Sequence, residues 1–188
     1  AALAGHQAAR DRSDELDELK ARLAAGLADR FPELAHFCAG LRAAIPESGI
    51  LVDEMTQVAY YARSGYPVYS PEGHVSAGYQ GTLGYGYATS LGVKVAAPDR
   101  VVVSINGDGG FLYNIGELAT AAHHGIAVVA VVFHDEAFGN VKRIQQQSFG
   151  RTIASDLTNP DFAALAASFG LAGYRVDDPD DFQATLEA

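Results

Sequence analysis

Residues 126–133 form the longest uninterrupted apolar run of the chain, IAVVAVVF, and this run constrains the fold more than any other feature of the sequence. A strand that is apolar at every position offers no face to solvent, so both of its faces must be covered. That pattern is typical of a parallel sheet enclosed by helices. We therefore predict a strand over residues 126–134 with both faces buried. The run is far too short to cross a bilayer.

Apolar periodicity and turn residues divide the rest of the chain into alternating helices and strands. We predict helices at 13–28, 32–44, 55–63, 81–97, 114–124, 138–147 and 161–169 and from 180 onward, and further strands at 49–52, 100–106 and 173–176. Residues 64–79, rich in Gly, Pro, Ser and Tyr, are predicted to form a long loop of the kind that often binds ligands. The alternation predicts an α/β fold, a doubly wound, mostly parallel sheet with helices on both faces.

Apolar residues at helical spacing identify the buried faces of the first two helices. Ser13 is predicted to cap the first helix, and Pro32 stands in the first turn of the second. The predicted inward residues are Leu16, Leu19, Leu23 and Leu27 in the first helix and Leu34, Phe37, Leu41 and Ile45 in the second.

Composition excludes several classes of function. The formal net charge is −10, from 13 basic and 23 acidic residues, and no basic cluster is present. A nucleic-acid binder needs a concentrated basic face, as does a protein that binds anionic membranes, so we expect neither partner. The single cysteine, Cys38, excludes an intrachain disulfide and a cysteine-based zinc site, which is compatible with a reduced, cytoplasmic setting.

The chain begins at Ala1, its one methionine is Met55, and its last residues have a helical pattern without a stop signal. We therefore expect the sequence to be a piece of a longer protein, and the chain to perform one part of that protein's function.

Polar, glycine-rich segments follow two neighbouring strands of the predicted sheet. Asp108 lies among the glycines of NGDGG after the first, and Asp135 belongs to HDEAFGN after the second. Ligands of α/β sheets bind at the carboxyl ends of the strands, so these two carboxylates should share one edge. Two carboxylates with carbonyls and water suit Mg²⁺ or Ca²⁺, and glycines allow the backbone to approach an anion closely. The pattern predicts a divalent cation beside a phosphate or diphosphate.

Other interpretations of these glycines fit less well. Leu112 stands where a Rossmann fingerprint needs its third glycine, and the chain has no P-loop, no G-x-S-x-G nucleophile elbow and no H-E-x-x-H. Gly-Asp-Gly by itself is also a common turn sequence.

Three segments together resemble a known family, in order and in spacing. They are Gly107-Asp108-Gly109 followed after 25 residues by Asp135, GTLGYG at 81–86, and NIGELATA at 114–121. They resemble the thiamine-diphosphate enzymes of the acetolactate synthase and benzoylformate decarboxylase group, most clearly over residues 50–149. The resemblance implies that residues 1–188 are the C-terminal, diphosphate-binding domain, with 1–45 a helical lead-in. It also implies that this domain belongs to a longer three-domain protein, whose middle and pyrimidine-binding domains are absent here.

The resemblance implies the cofactors thiamine diphosphate and Mg²⁺ and assigns roles to individual residues. Asp108 and Asp135 would bind Mg²⁺ through their side chains, and Ala137 through its carbonyl. Gly109 and Gly110 would present N–H groups to the diphosphate, the Gly81 carbonyl would accept from the aminopyrimidine, and Leu83 would support the bent cofactor. The other predicted cofactor-binding residues are Thr56, Gln57, His74, Thr82, Gly107, Phe138 and Gly139.

The implied activity is decarboxylation of a 2-keto acid or carbon–carbon bond formation, as a lyase or transferase. No catalytic residue is expected in this chain, because the family's activating glutamate lies on the missing pyrimidine-binding domain, usually of a second subunit. Glu117 is therefore not that glutamate. The resemblance implies a homodimer or homotetramer, and an isolated chain without activity. The cluster of tyrosines between residues 60 and 87 is expected where a partner domain docks.

Three positions depart from the family pattern. His134 and Asp135 stand where the two Asn residues of the motif are usual, and Asp135 adds negative charge beside a diphosphate. Gly110 replaces a usual Ser. These departures leave open a non-catalytic cofactor-binding or assembly subunit. An unrelated α/β phosphate-binding domain is the third alternative.

Overall fold

The computed structural model describes residues 11–188, which form a parallel four-stranded sheet with helices packed against it. The first ten residues of the predicted helical lead-in lie outside this described range. The strands are β1 Ile50–Asp53, β2 His74–Val75, β3 Val102–Gly107 and β4 Val129–Phe133. The helices are α1 Ser13–Arg30, α2 Pro32–Ala44, α3 Gln57–Gly65, α4 Tyr85–Ala96, α5 Asp108–Tyr113, α6 Glu117–His124, α7 Gly139–Phe149, α8 Phe162–Ser168 and α9 Phe182–Glu187, with a 3₁₀ turn at Pro179–Asp181.

The strand order is β2-β1-β3-β4, and every pairing in the sheet is parallel. The register pairs Ile50 with Val102 and Val103 with Val129. The chain moves outward from β1 to β2 and then in the opposite direction to β3 and β4, so the topological switch point lies between β1 and β3. The predicted α/β fold with a mostly parallel sheet is confirmed.

The two faces of the sheet carry separate apolar clusters because side chains alternate along a strand. Leu51, Val103 and Ile105 pack with α2 and α3, whereas Ile50 and Val52 pack against α4 on the opposite face. The inner strands β1 and β3 are therefore covered on both sides, as the apolar pattern required of a parallel sheet.

The prediction that β4 is buried on both faces is wrong for the described chain. It forms one edge of the sheet, and Val129 is 45% exposed. Residues 173–176, predicted as another strand, form no strand and leave Tyr174 exposed, so they do not cover β4.

The first helix differs from its prediction, whereas the second agrees with it. Ser13 is the first residue of α1 rather than its cap, and its hydroxyl bonds to Asp11. Three of the four leucines of that helix, Leu16, Leu19 and Leu23, remain exposed, and Leu27 packs on the core. Leu41 of α2 and Ile45, which follows its last residue, are buried, and Leu34 and Phe37 pack partly, as predicted.

Two differences alter the description of the predicted site. Residues 81–84 are not helical, because Gly84 has a left-handed φ of 85° and α4 begins only at Tyr85. The glycines after β3 do not form a separate turn, since α5 starts directly at Asp108 and precedes α6. Within residues 11–188, no helix is long and apolar enough to cross a membrane.

Candidate functional site

The candidate site lies at the carboxyl ends of β1, β3 and β4, beside the switch point. Gly107 ends β3 opposite Phe133 of β4, which brings the following residues, Asp108 and His134, to one edge of the sheet. A Cβ placed on Gly107 would lie 3.8 Å from the Cβ of Thr56, so the residues after β1 reach the same place. Crevices at this position are where open α/β sheets bind ligands.

Asp108 is 1% exposed and its carboxylate is held by three hydrogen bonds. Oδ1 accepts from the N–H of Gly109 at 2.7 Å. Oδ2 accepts from the N–H of Glu136 at 2.7 Å and from Nδ2 of Asn159 at 2.6 Å. A carboxylate has about four lone-pair positions, two on each oxygen, so Oδ2 is saturated. The one position left on Oδ1 lets Asp108 bind a cation through a single oxygen.

Asp135 lies next to Asp108, and the two carboxylates repel each other. Partial burial of the Asp135 carboxyl, together with the negative charge of Asp108, raises its pKa above the ordinary value. Its Oδ1 accepts weakly from the N–H of Ala137 at 3.3 Å, and its Oδ2 lies against Gly139, where an added Cβ would stand 2.6 Å away. A divalent cation between the two carboxylates would remove their mutual repulsion.

The loop between β4 and α7 is braced by a second segment. Glu136 has a left-handed φ of 55°, which turns its N–H towards Asp108. The N–H of Phe138 donates to the carbonyl of Ser155 at 2.8 Å, and the N–H of Leu157 donates to Glu136 at 2.7 Å. Within the described chain, the carbonyl of Ala137 accepts no hydrogen bond.

This donor set fits Mg²⁺. Two carboxylates and a free backbone carbonyl are hard oxygen ligands of the kind Mg²⁺ prefers, and the buried Oδ1 of Asn159 has no hydrogen-bond partner in the described part of the chain. No cluster of three or more His, Cys, Asp or Glu residues suited to a metal occurs within residues 11–188. Carbonyls, water or a ligand's own oxygens must therefore complete the coordination, as Mg²⁺ sites commonly arrange.

The glycines after Asp108 are required by close packing. A Cβ on Gly109 would stand 2.5 Å from the ring of Phe138, and one on Gly110 would overlap the carboxylate of Glu54. The N–H of Gly109 is already bonded to Asp108 Oδ1, in contrast to the expectation that it presents this group to a diphosphate.

Residues 81–84 lie beside the end of β1. A Cβ on Gly81 would stand 2.6 Å from Sδ of Met55, the residue before Thr56. Gly81 and Thr82 are exposed and Leu83 is half-buried, which leaves their backbone and the leucine side chain accessible to a ligand. The carbonyl of Gly84 accepts from Nδ2 of Asn114 at 2.6 Å, and its N–H donates to Glu54.

One predicted residue, His74, lies apart from this group. Nε2 of His74 is 3.1 Å from Oδ2 of Asp53, a fully buried carboxylate that also accepts from Arg63 at 3.0 Å. Because β2 is separated from β3 by β1, the structure does not bring His74 to Asp108. Gln57 is exposed as the first residue of α3.

The sequence interpretation missed two residues of the site. Glu54 follows β1 directly, so the strand-end rule that identified Asp108 could have identified it. Burial raises its pKa, and the hydrogen bonds from Gly84 and Gly86 act in the opposite direction. Asn159 lies in an irregular segment before α8, and no sequence signal connects it to Asp108.

Comparison with known proteins finds a matching family and similar chains. Residues 54–188 match the family described as "Thiamine pyrophosphate enzyme, C-terminal TPP binding domain". The chain is 34% identical over 139 residues to the acetolactate synthase large subunit of Haemophilus influenzae, which covers 73% of the chain and 24% of that relative. It is 33% identical over 148 residues to the sulfoacetaldehyde acetyltransferase of Castellaniella defragrans, covering 78% of the chain and 25% of that protein.

A solved structure is similar in fold. The thiamine diphosphate-dependent 4-hydroxybenzoylformate decarboxylase of Rhodococcus jostii superposes with a TM-score of 0.75 at 28% identity, over 82% of this chain and 29% of that one. The chain thus spans about a quarter of the length of the curated relatives it matches.

Proposed function

The chain belongs to the thiamine pyrophosphate enzyme family as its C-terminal TPP-binding domain, and from this premise we propose that it holds the diphosphate end of thiamine diphosphate through Mg²⁺. The observation that carries the proposal is the hydrogen bonding of the Asp108 carboxylate. Its buried carboxylate is fixed by three donors with a single position left on Oδ1, next to Asp135.

In this proposal the described residues bind and orient the cofactor. Asp108, Asp135 and the carbonyl of Ala137 hold the cation, and Thr56 and the N–H of Gly110 approach the diphosphate. Gly81 and Leu83 meet the ring end of the cofactor. The bound cofactor supplies the nucleophilic carbon for attack on a carbonyl substrate, as cofactors carry the difficult step in such enzymes.

The proposed substrates are small 2-keto acids, and the proposed reaction is decarboxylation or carbon–carbon bond formation by the whole enzyme, as a lyase or transferase. The names of the relatives support this, since one is an acetolactate synthase large subunit and the similar solved structure is a 4-hydroxybenzoylformate decarboxylase. The activating glutamate would come from a pyrimidine-binding domain, and the chain on its own would have no activity. Release of CO₂ from 2-keto acids by the chain alone would contradict this.

A partner domain is proposed to cover the carboxyl edge of the sheet, in a homodimer or homotetramer. The support is apolar exposure near the site. Tyr79 is fully exposed, Tyr113 after the Asp108 helix is 63% exposed, and Val141 and Ile144 on α7 are each 47% exposed. Exposed aromatic side chains are enriched where protein surfaces dock, which favours a partner at this edge.

Titration calorimetry with thiamine diphosphate, with and without Mg²⁺, tests the proposal. We expect binding that requires Mg²⁺ and is abolished by Asp108→Ala, because the carboxylate is the best-oriented ligand. Asp99→Asn, which changes an exposed carboxylate in the loop between α4 and β3, is the matched control and should bind normally. Unchanged binding by Asp108→Ala would place the site elsewhere. Binding of inorganic pyrophosphate without any binding of thiamine diphosphate would favour a phosphate-binding domain of another function.

A further inference from the structure

Glu54 is a buried carboxylate with no basic partner among the described residues. It is 1% exposed and follows the last residue of β1. Its Oε1 accepts from the N–H of Gly84 at 2.6 Å and its Oε2 from the N–H of Gly86 at 3.3 Å. Burying a carboxylate is unfavourable unless it is hydrogen-bonded, so these two contacts account for its position.

The two amides belong to the beginning of α4. Gly84 caps this 12-residue helix and Gly86 is in its first turn, where N–H groups lack partners within the helix. The positive end of the helix dipole favours a negative group there. Glu54 thus attaches the start of α4, and the loop 81–84 that leads into it, to the end of β1.

The same carboxylate also contacts the segment after β3. A Cβ on Gly110 would overlap Oε1 of Glu54 and stand 2.6 Å from its Cδ. A Cβ on Gly86 would lie 2.9 Å from the Cβ of Glu54. One side chain therefore lies between the loop 81–84 and the backbone that follows Asp108.

We propose that Glu54 is a positioning residue that fixes the distance between the two ends of the cofactor site. Through the amides of Gly84 and Gly86 it holds Gly81 and Leu83 relative to Gly110, so that the ring end and the diphosphate end of one ligand fit together. The proposal rests on the proposed function. Glu54 acts through the backbone and does not touch the reacting atoms.

Two ligands distinguish this role from a general contribution to folding. Thiamine diphosphate reaches both ends of the site, whereas Mg²⁺ with inorganic pyrophosphate reaches only the diphosphate end. Glu54→Gln keeps the volume of the side chain but replaces one acceptor oxygen with an NH₂ group, which cannot accept from Gly84 or Gly86. Titration calorimetry on the full chain should show thiamine diphosphate binding weakened about tenfold and Mg²⁺-pyrophosphate binding unchanged.

Equal losses for both ligands, or no loss for either, would overturn the proposal. Asp99→Asn is the control and should leave both affinities unchanged. If the unsubstituted chain binds Mg²⁺-pyrophosphate but not thiamine diphosphate, the proposed function fails and the positioning role fails with it. If the unsubstituted chain binds both ligands and Glu54→Gln loses affinity for neither, the positioning role fails while the proposed function stands.

Hydrogen exchange gives a measurement that does not depend on cofactor binding. Glu54→Asp retains the charge but is one methylene too short to reach both amides, and it serves if Glu54→Gln does not fold. We expect faster exchange confined to the amides of residues 81–86, with the amides of α6 unchanged. Unchanged exchange at 81–86 would contradict the role.

Discussion

Asn159 donates through Nδ2 to Oδ2 of Asp108 at 2.6 Å, which joins two residues 51 positions apart in the chain. The other atom of the same amide, Oδ1, is buried without a hydrogen-bond partner in the described chain. An unpaired buried oxygen is destabilising by about 1–3 kcal/mol. The structure therefore keeps Asn159 in this orientation for the contact with Asp108, which holds the carboxylate in the rotamer that leaves Oδ1 available to a cation.

Asn159→Ala should weaken Mg²⁺ binding while the fold persists. Groups that orient metal ligands typically contribute about 10–100-fold to affinity, and we expect a loss of about tenfold here. Mg²⁺ titration followed by calorimetry measures it, with Thr158→Ala, an exposed neighbour, as the control. An affinity equal to that of the unsubstituted chain would show that the hydrogen bond from Glu136 suffices to orient Asp108.

Gly139→Ala should weaken Mg²⁺ binding with little change in the free energy of unfolding. The new Cβ would stand 2.6 Å from Oδ2 of Asp135, and this carboxylate is the flexible end of its side chain, so it moves rather than the backbone. Gly92→Ala in α4 is the control, because a Cβ there meets nothing within 4 Å. That control should bind Mg²⁺ normally and gain about 0.5–1 kcal/mol of stability. Identical Mg²⁺ affinities in the two variants would remove Asp135 from the proposed ligand set.

Mg²⁺ binding should weaken on acidification at a higher pH than for an ordinary carboxylate pair. Partial burial and the charge of Asp108 raise the pKa of Asp135, so a proton competes with the cation at a higher pH than at an unperturbed aspartate. Mg²⁺ titrations between about pH 7 and pH 4.5 should show this decline. Asp135→Asn removes the titrating group, so its affinity should be lower at neutral pH but depend less on pH. A decline as steep as that of the unsubstituted chain would assign the proton to another group.

Gly110→Ala should destabilise the fold through Glu54. A side chain at position 110 overlaps the Glu54 carboxylate, which is fixed by two hydrogen bonds, and overpacking of this kind costs about 1–3 kcal/mol. In a Glu54→Ala background the added methyl group has space, so Gly110→Ala should leave the free energy of unfolding nearly unchanged. Urea unfolding of the four proteins in this double-mutant cycle measures the coupling. Additive effects would mean that another neighbour of Gly110 is responsible.

Asp53 should contribute to stability in a pH-dependent manner. Burial alone would raise the pKa of its carboxyl, but hydrogen bonds from His74 and Arg63 outweigh burial and lower it. A carboxyl whose pKa is lowered in the folded state stabilises the fold above its unfolded pKa, about 3.9, and loses that contribution as the pH falls through the folded value.

Asp53→Asn should therefore be less stable by about 3 kcal/mol at neutral pH, as expected when one partner of a buried ion pair is removed. The difference from the unsubstituted chain should shrink below about pH 4, because there the unfolded chain binds a proton at Asp53 before the folded state does. Urea unfolding at a series of pH values measures it. A difference that stays constant down to the acid transition would show that Asp53 acts through packing rather than charge.

The part of the site that follows from strand order was predictable from sequence. Asp108 and Asp135 come after consecutive strands of a parallel sheet, and such strands pair, so the two carboxylates had to meet. The confirmed fold class rests on the same alternation of helices and strands.

The contacts that depend on irregular backbone were not predictable. The bond from Asn159 comes from a segment without periodicity, and the separation of residues 81–84 from α4 depends on a left-handed glycine inside a small-residue pattern that otherwise looks helical. The exposure of β4 depends on whether a further strand pairs with its outer edge. The apolar sequence of β4 shows that both of its faces can be buried, but it does not show whether another strand pairs with its outer edge.

The parallel pairing of all four strands also bears on how the protein folds. Val103 pairs with Val129 and Ile50 with Val102, so each pairing encloses a long segment, and the sheet contains no hairpin that could form early from neighbouring residues. Topologies dominated by distant contacts fold slowly, since the chain loses entropy of loop closure before those contacts form. A newly synthesised chain should therefore remain open to proteases until its last crossover has closed, and only then become able to retain a ligand.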